Sequence, residues 1–228
     1  MTRITEQLEE LRRRVDFAAK SADRDPDSVK ILAVSKKQPI EAIQEALTAG
    51  LKDFGENYLQ EALHKIPVTD RDAVWHFIGS IQSNKTKAIA EHFSWVHTLT
   101  SKKIAERLSA QRPEHLQPLQ VCIQLRPTGG DTRSGIDENE LQPLAETITA
   151  LPGLQLRGLM IVPLANLSAT ETMTEFSRAH KLFDQLRTSG LDLDTLSMGM
   201  SADLEAAIMA GSTCIRIGTD LFGPRNYE

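Results

Sequence analysis

The residues of this chain that could do chemistry start with a lysine at the end of an apolar run. The stretch 31–36 reads Ile-Leu-Ala-Val-Ser-Lys, so four apolar residues precede Ser35 and Lys36. A run of this kind, rich in small and β-branched side chains, is typical of a parallel strand that is buried on both faces. A lysine there can simply mark where the strand reaches water, but its amine can also form a Schiff base with a carbonyl compound.

A second group of candidate residues lies near the carboxyl end of the chain. The segments 197–201 (Ser-Met-Gly-Met-Ser) and 216–219 (Arg-Ile-Gly-Thr) combine hydroxyls, small residues and a guanidinium. Small residues let backbone N–H groups approach an anion closely. A tight bend is the alternative explanation for Gly218. Together the two segments predict a phosphate pocket, and we expect the Asp203 carboxylate to face outward or to bond neighbouring donors, because it would otherwise repel the anion.

Alternating strand and helix patterns would position these residues. The predicted strands are 31–36, 52–57, 74–79, 95–99, 119–125, 156–162, 195–200 and 213–218. An amphipathic helix is predicted over 2–22, and further helices over 40–47, 58–65, 85–92, 101–111, 138–150, 170–187 and 203–210. About eight such repeats without a change in composition predict one (β/α)8 TIM-barrel domain over residues 1–228, in the α/β class, with an extra amino-terminal helix that could cover the gap between the first and last strands.

A doubly wound open sheet is the alternative fold. The chain has no Gly-x-Gly-x-x-Gly turn after its first strand, which counts against a dinucleotide-binding version of that sheet. In a TIM barrel, active sites lie at the carboxyl ends of the strands, and phosphate often binds to the loops after strands seven and eight. Lys36 and the phosphate pocket would then share one end of the barrel. A ligand with a phosphate and an aldehyde would use both, and pyridoxal 5′-phosphate (PLP) has that form.

Composition narrows the classes of partner. The chain has 228 residues, 40% of them hydrophobic, and a formal net charge of −5, which argues against a nucleic-acid partner. No run approaches the roughly 18 apolar residues of a membrane span, and the amino terminus lacks the apolar core of a signal peptide, so we expect no membrane association and a cytoplasmic location. Cys122 and Cys214 lie in apolar runs and are predicted to be buried thiols.

Six segments, in the same order, resemble the pyridoxal phosphate homeostasis protein family. They are Ala33-Val34-Ser35-Lys36, Phe54-Gly55-Glu56-Asn57-Tyr58, His76-Phe77-Ile78-Gly79 with Gln82-Ser83-Asn84-Lys85, Arg157-Gly158-Leu159-Met160, Ser197-Met198-Gly199-Met200-Ser201-x-Asp203 and Arg216-Ile217-Gly218-Thr219. The resemblance covers essentially the whole chain. It implies a barrel like the amino-terminal domain of alanine racemase and of the fold-type III decarboxylases.

The resemblance also implies a cofactor, PLP, and its contacts. These contacts are a Schiff base to Lys36, a pyridine nitrogen facing Arg216, a ring near Asn57, and a phosphate held by Ser201, Gly218 and Thr219. Family members are linked to vitamin B6 balance and are not known to catalyse a reaction. We therefore expect a PLP-binding monomer with no catalytic residues, and with apo PLP-dependent enzymes as candidate recipients. The chemistry agrees, because an arginine keeps its proton and leaves the pyridine nitrogen unprotonated.

Three positions depart from the pattern of the family. Lys37 follows Lys36 directly, whereas the family often has its second lysine two positions on. Arg126 and Pro127 replace a common asparagine after the fifth strand, and Arg133 stands where a lysine is usual in the following loop. Secondary contacts from these positions to the cofactor are therefore left open.

Two other functions are also left open. A racemase or decarboxylase would use the same cofactor, but such enzymes add a carboxy-terminal domain for which we expect no room after Glu228. A Schiff-base aldolase would use Lys36 without a cofactor and would bind a substrate phosphate instead. His76 lies in an apolar strand and is expected to be a hydrogen-bonded core histidine rather than a catalyst.

Overall fold

The strands form a closed, all-parallel barrel that follows chain order, and β1 pairs with β8 to close it. The structure is a computed structural model that describes residues 2–131 and 135–223. The strands are β1 Lys30–Val34, β2 Asp53–Glu56, β3 Val74–Phe77, β4 Trp95–Leu99, β5 Leu119–Gln124, β6 Leu154–Met160, β7 Thr195–Ser197 and β8 Cys214–Ile217. The predicted (β/α)8 TIM barrel is thus confirmed, and most strands end one to three residues earlier than the sequence predicts.

Helices surround the barrel and alternate with its strands. They are α1 Arg3–Ser21, α2 Ile40–Thr48, α3 Leu59–Lys65, α4 Thr86–His92, α5 Lys102–Gln111, α6 Glu138–Thr149, α7 Ala169–Thr188, α8 Leu204–Met209 and α9 Thr219–Phe222. The short α9 was not predicted, because four residues are too few to show a helical period. Ser101 caps α5, since its side chain accepts a hydrogen bond from the backbone N–H of Ile104.

The amino-terminal helix covers the place where the barrel closes. Residues spaced three or four apart on α1 are buried, and they include Ile4, Leu8, Leu11 and Val15. With this apolar face α1 packs against α2, α8 and α9, the helices that follow β1, β7 and β8. The extra helix therefore occupies the position that the sequence predicts for it. Because the barrel joins strands from both halves of the chain, we propose that residues 1–228 form one domain.

Two predictions about single residue types can be compared with the structure. Cys122 and Cys214 are both buried and unpaired, as predicted, and burial raises the pKa of the Cys214 thiol to about 11. Within the described part of the chain, no helix has the length and apolarity needed to cross a membrane.

The turn after β7 depends on a glycine. Gly199 has φ +96°, and a Cβ built on it would lie 2.5 Å from the Cβ of Ala207 on α8. A side chain there would meet both a left-handed backbone and a steric overlap. Gly190, after α7, has nearly the same backbone angle, φ +98°, but a Cβ there would meet no atom within 4 Å.

These two glycines allow a matched test of the crowding after β7. Gly190→Ala should lower the free energy of unfolding by about 1–2 kcal/mol through backbone strain alone. Gly199→Ala should cost about 1–3 kcal/mol more, because the overlap with Ala207 forces the turn to move. Urea unfolding of both variants measures the difference, and equal losses would contradict the assigned overlap.

Candidate functional site

All six residues that the sequence predicts as cofactor contacts come from four consecutive strands of the barrel. Ser201 comes from β7, and Arg216, Gly218 and Thr219 come from β8. Lys36 comes from β1 and Asn57 from β2. Five of the residues follow the carboxyl end of their strand, and Arg216 lies within β8 near that end. The register pairs Val34 with Gly55 and Ala33 with Ile217, so the ends of β8, β1 and β2 are adjacent. The structure therefore brings the candidate residues to one side of the barrel mouth.

Lys36 lies in a turn rather than on the strand. β1 ends at Val34, and the backbone N–H of Gln38 donates to the Ser35 carbonyl at 3.0 Å, which closes the turn. The sequence-based expectation that the strand continues to Lys36 is therefore wrong. Lys37 adopts a left-handed backbone with φ +61°, a conformation that costs free energy in a lysine. Lys36 is half-buried and Lys37 is exposed, so the turn distinguishes the two neighbouring amines.

A buried ion pair holds this turn in place. The ammonium of Lys65 donates to the Ser35 carbonyl at 2.8 Å, to Glu56 at 2.8 Å and to Glu61 at 2.5 Å. The Ser35 hydroxyl also donates to Glu56, and Glu61 accepts the backbone N–H of Lys37 at 2.5 Å. Burial raises the pKa of Glu56 although Lys65 and Ser35 bond to it. The residues on both sides of Lys36 are thus fixed by the same set of charges.

Asn57 contributes a polar atom that the protein leaves without a partner. Its Oδ1 is inaccessible to solvent and accepts no hydrogen bond among the described residues. A buried acceptor of this kind is costly unless a donor reaches it. Asn57 follows the end of β2, the strand that pairs with β1 before the turn of Lys36. The unsatisfied oxygen therefore fits a ligand that brings a donor to this position.

The loops after β7 and β8 offer the donors that the sequence predicts for a phosphate. The hydroxyl of Ser201 lies 3.4 Å from the backbone nitrogen of Asp220, which joins the two loops. Gly218 has φ −117°, and a Cβ there would make only an ordinary 3.5 Å contact with the Val34 carbonyl. Crowding therefore does not require a glycine there, and the tight bend stays the alternative explanation for Gly218. Asp203 accepts the backbone N–H of Met200 at 2.5 Å, as expected of a carboxylate near an anion site.

Arg216 is buried, and the ends of two neighbouring strands hold its guanidinium. Its Nη1 donates to the carbonyl of Ser197 at 2.7 Å and to the hydroxyl of the same residue at 2.8 Å. Its Nη2 donates to the carbonyl of Ile161 at 2.9 Å. Burial lowers the pKa of Arg216, but an arginine keeps its proton in proteins. The side chain is therefore a fixed positive charge inside the barrel.

A row of hydrogen bonds, here called the interior chain, leads from Arg216 across the barrel. The Ser197 hydroxyl bonds Nδ1 of His97, Nε2 of His97 bonds Nδ1 of His76, and Nε2 of His76 bonds a carboxylate oxygen of Asp53, each at 2.9 Å. Arginine only donates and an ionised carboxylate only accepts, so every proton must point toward Asp53. Both histidines therefore carry their single proton on Nε2.

The pKa values of the interior chain agree with neutral histidines. Burial lowers the pKa of His97 well below its usual value, and the neighbouring Arg216 charge lowers it further. Burial also lowers the pKa of His76, although the Asp53 carboxylate opposes this effect. The prediction that His76 is a hydrogen-bonded core residue is confirmed, since it is buried with two partners.

Sequence comparison identifies the relatives of this chain. The family model described as "Alanine racemase, N-terminal domain" matches residues 7–226. A protein of Pseudomonas aeruginosa named pyridoxal phosphate homeostasis protein is 52% identical over 232 residues, which cover 100% of this chain and 98% of that protein. A protein of the same name from Escherichia coli K12 is 45% identical and covers 100% of this chain and 99% of its own length. This chain belongs to the pyridoxal phosphate homeostasis protein family.

Solved structures agree with membership of the homeostasis family. PipY of Synechococcus elongatus PCC7942, in a structure described as having PLP bound, is 37% identical and has a TM-score of 0.85 over 97% of this chain and 100% of its own. Alanine racemase of Corynebacterium glutamicum is 17% identical, with a TM-score of 0.67 over 96% of this chain and 62% of that chain. The second likeness shows the shared fold alone.

Two of the positions that depart from the family pattern are described by the structure. Arg126 pairs with Asp137 at 2.8 Å and also donates to the Gly135 carbonyl, so it secures the loop after β5. Lys37 belongs to the turn described above. Arg133 lies outside the described residues, so a contact from Arg133 to the cofactor stays an open question from the sequence.

A large cavity lies on the other side of the barrel mouth. It has a volume of about 1050 Å³, and its lining includes Ser80, Gln124, Val162, Met200 and Asp203. It meets the candidate site at the loop after β7, through Met200 and Asp203, and does not include Lys36. This space is large enough for a small molecule beside the predicted phosphate pocket.

Sequence reasoning missed the ion pair below Lys36 and most of the interior chain. The available signal was the presence of Asp53, His97 and Ser197 in strands that are otherwise apolar. Such polar residues need partners. A single sequence does not show that β4, which carries His97, and β7, which carries Ser197, meet inside the barrel. The ion pair was equally hidden, because Lys65 at the end of α3 resembles an ordinary solvated lysine.

The neutral histidines predict how stability depends on pH. Their folded-state pKa values lie below the unfolded value of about 6.5, so the unfolded chain binds more protons as pH falls through that value. The stabilisation is present above about pH 6.5 and declines below it, by about 1.4 kcal/mol per pH unit for each imidazole. Urea unfolding from pH 7.5 to 5.5 measures this slope.

Two variants assign that slope to the interior chain. His97→Gln should make the free energy of unfolding less dependent on pH in this range, because one buried imidazole is removed. His92→Gln changes an exposed histidine on α4 and serves as the matched control. A slope that is the same in His97→Gln and the control would contradict the assignment.

Proposed function

We propose that this chain binds PLP at the carboxyl ends of β7, β8, β1 and β2 and takes part in intracellular PLP homeostasis. The observation that carries the proposal is the convergence of Lys36, the orphaned amide oxygen of Asn57, the buried charge of Arg216 and the Ser201–Gly218 loops on four consecutive strands. Its full-length relatives carry the name of that function, and the similar protein PipY has PLP bound in one structure, which supports the cofactor.

In this proposal Lys36 attaches the cofactor covalently. Its neutral amine adds to the aldehyde carbon, water leaves, and a C=N bond remains as a Schiff base. The turn that presents Lys36 is held from both sides, because Lys65 bonds the Ser35 carbonyl and Glu61 bonds the Lys37 N–H. The proposal assigns the attachment to Lys36 rather than to Lys37, and it is supported by the half-buried state of Lys36 beside an exposed Lys37.

The other five residues divide between the ring and the phosphate. Asn57 offers its unpaired amide oxygen to a ring substituent or to the Schiff base, and Arg216 faces the pyridine nitrogen. The Ser201 and Thr219 hydroxyls and the backbone at Gly218 hold the phosphate, at the two loops where TIM barrels often bind this group. Ser201 is half-buried and Thr219 is exposed, so the phosphate end of the site is open to solvent.

We further propose that the protein does not turn over amino acids. PLP acts in catalysis as an electron sink, most strongly when its pyridine nitrogen is protonated. Arg216 supplies no proton, because three hydrogen bonds to Ser197 and Ile161 fix it and a guanidinium keeps its charge. The function of the site would then be to hold and release the cofactor, with apo PLP-dependent enzymes as recipients in the cytoplasm and the protein itself a monomer.

A Schiff-base aldolase remains the competing function. It would use the same lysine and the same phosphate loops, but it would need no aromatic cofactor. Visible absorption that appears on adding PLP, and that is lost in Lys36→Ala, distinguishes cofactor binding from the aldolase.

The attachment residue can be mapped directly. Borohydride reduction of the PLP-loaded protein should fix the label on the peptide that contains Lys36, because Lys36 is half-buried in the turn whereas Lys37 is exposed. Lys36→Ala should lose the label and Lys37→Ala should keep it. Label found on Lys37 alone in the unaltered protein would show that the turn presents the other amine.

Two further measurements test the proposed function: the rate of amino-acid turnover and the transfer of PLP to an apo enzyme. With PLP bound, racemisation, decarboxylation and transamination of amino acids should stay well below about 1 per second, a low value for an enzyme. The loaded protein should activate an apo PLP-dependent enzyme, and Lys36→Ala treated in the same way should not. Sustained turnover at enzyme-like rates that requires Lys36 would favour a true enzyme instead.

A further inference from the structure

The amino-terminal helix reaches the loops to which the proposed function assigns the phosphate. Arg14, on α1, forms a forked ion pair with Glu205 on α8, with Nε–Oε1 at 2.6 Å and Nη2–Oε2 at 3.1 Å. Its Nη1 donates to Asp220 on α9 at 2.5 Å, and its Nη2 also donates to the backbone carbonyl of Ser201 at 3.0 Å. One guanidinium therefore contacts both loops and a backbone atom of a predicted phosphate ligand.

The sheet joins β7 and β8 directly, but the loops beyond them share few bonds. β7 has three residues, and its register with β8 contains a single pair, Ser197 with Cys214. Three backbone bonds join the two segments: the Thr213 N–H donates to the Leu196 carbonyl at 3.0 Å, the Met198 N–H to the Cys214 carbonyl at 3.1 Å and, last, the Arg216 N–H to the Gly199 carbonyl at 2.9 Å. Beyond it, the direct bond between the loops is the long 3.4 Å contact from Asp220 to Ser201. Beyond the end of the ladder, Arg14 thus adds the ionic link between the two loops.

Arg14 also changes the charge beside the predicted phosphate. Glu205 and Asp220 lie in the first turns of α8 and α9, and each carboxylate would repel a phosphate dianion bound at these loops. Hydrogen bonding to Arg14 lowers the pKa of Glu205, so this carboxylate is ionised and paired at neutral pH. The three side chains are a quarter to two-fifths exposed, so the pairs are partly screened.

We infer that Arg14 is a positioning residue of the phosphate pocket: it aligns the loops after β7 and β8 and neutralises their two carboxylates. This inference rests on the proposed PLP function. Arg14 does not touch the ligand in this account, and it acts through Ser201, Glu205 and Asp220. We expect the effect to be specific to the anion, because the hydrogen bonds of Arg14 go to Ser201, Glu205 and Asp220 at the phosphate loops.

A pair of ligands that differ only in the phosphate tests this inference. Arg14→Gln should weaken PLP binding about tenfold or more, the size expected when a charge-assisted hydrogen bond near an anion is lost. Its affinity for pyridoxal, which lacks the phosphate, should change by less than about twofold. Dissociation constants come from absorbance titration of the full chain, and thermal melting shows whether each variant is folded.

Three further variants sharpen the result. Arg14→Lys keeps the charge without the forked ion pair, so its PLP affinity should lie between those of the unaltered protein and Arg14→Gln. If Arg14→Gln does not fold, Arg14→Lys provides the comparison of PLP with pyridoxal instead. The triple variant Arg14→Gln, Glu205→Gln, Asp220→Asn should recover part of the lost PLP affinity, since the unpaired carboxylates are gone. Arg13→Gln is the matched control on the same helix, because Arg13 is 74% exposed and pairs only with Glu10 among the described residues.

The outcomes separate the inference from the function on which it rests. Equal weakening of PLP and pyridoxal in the Arg14 variants would assign Arg14 a purely structural role and overturn the inference alone. Unchanged PLP affinity in these variants would overturn it as well. A failure of the unaltered protein to bind PLP would overturn the proposed function and this inference together.

Discussion

A guanidinium charge lies inside the barrel, and the rest of the site is arranged around the need to stabilise it. Arg216 has no carboxylate in contact among the described residues; its bonds go to the Ser197 and Ile161 oxygens. The Asp203 carboxylate raises the pKa of Arg216 against the effect of burial, and Asp53 is linked to Arg216 through a serine and two histidines whose hydrogen bonds all point the same way. Aligned hydrogen bonds in a low dielectric strengthen one another, so the serine and the two neutral imidazoles add to the stabilisation of the buried charge.

The chemistry proposed for Lys36, which follows β1, depends on a constrained backbone turn. The turn that contains Lys36 is strained at Lys37 and bonded on both sides by the Lys65, Glu56 and Glu61 charges. Such strain persists where the surrounding structure over-determines the backbone, and it is common in ligand sites. The amine is therefore pre-positioned by the fold. A flexible lysine on an ordinary strand end would have to be ordered at the moment of binding.

The sequence predicts the barrel well, because its repeated strand–helix pattern and capping residues are local features. It also predicts which strand ends hold polar residues, and these do converge in the structure. Two local features were still missed: β1 ends two residues before Lys36 because a turn begins there, and α9 is too short to show a periodic pattern. The partners of Asp53 and Lys65 could not be inferred either, because they depend on the register and closure of the barrel.

The contacts of α1 also bear on how the chain is made. Arg14 and its partners Glu205 and Asp220 are separated by 191 and 206 residues. At ordinary elongation rates a ribosome needs roughly ten to forty seconds to synthesise that interval. Throughout this time the apolar face of the first helix, with Leu8 and Leu11 at its centre, lacks the later helices that cover it. The phosphate loops cannot be aligned by α1 on a nascent chain, so the complete pocket forms only after α9 has emerged.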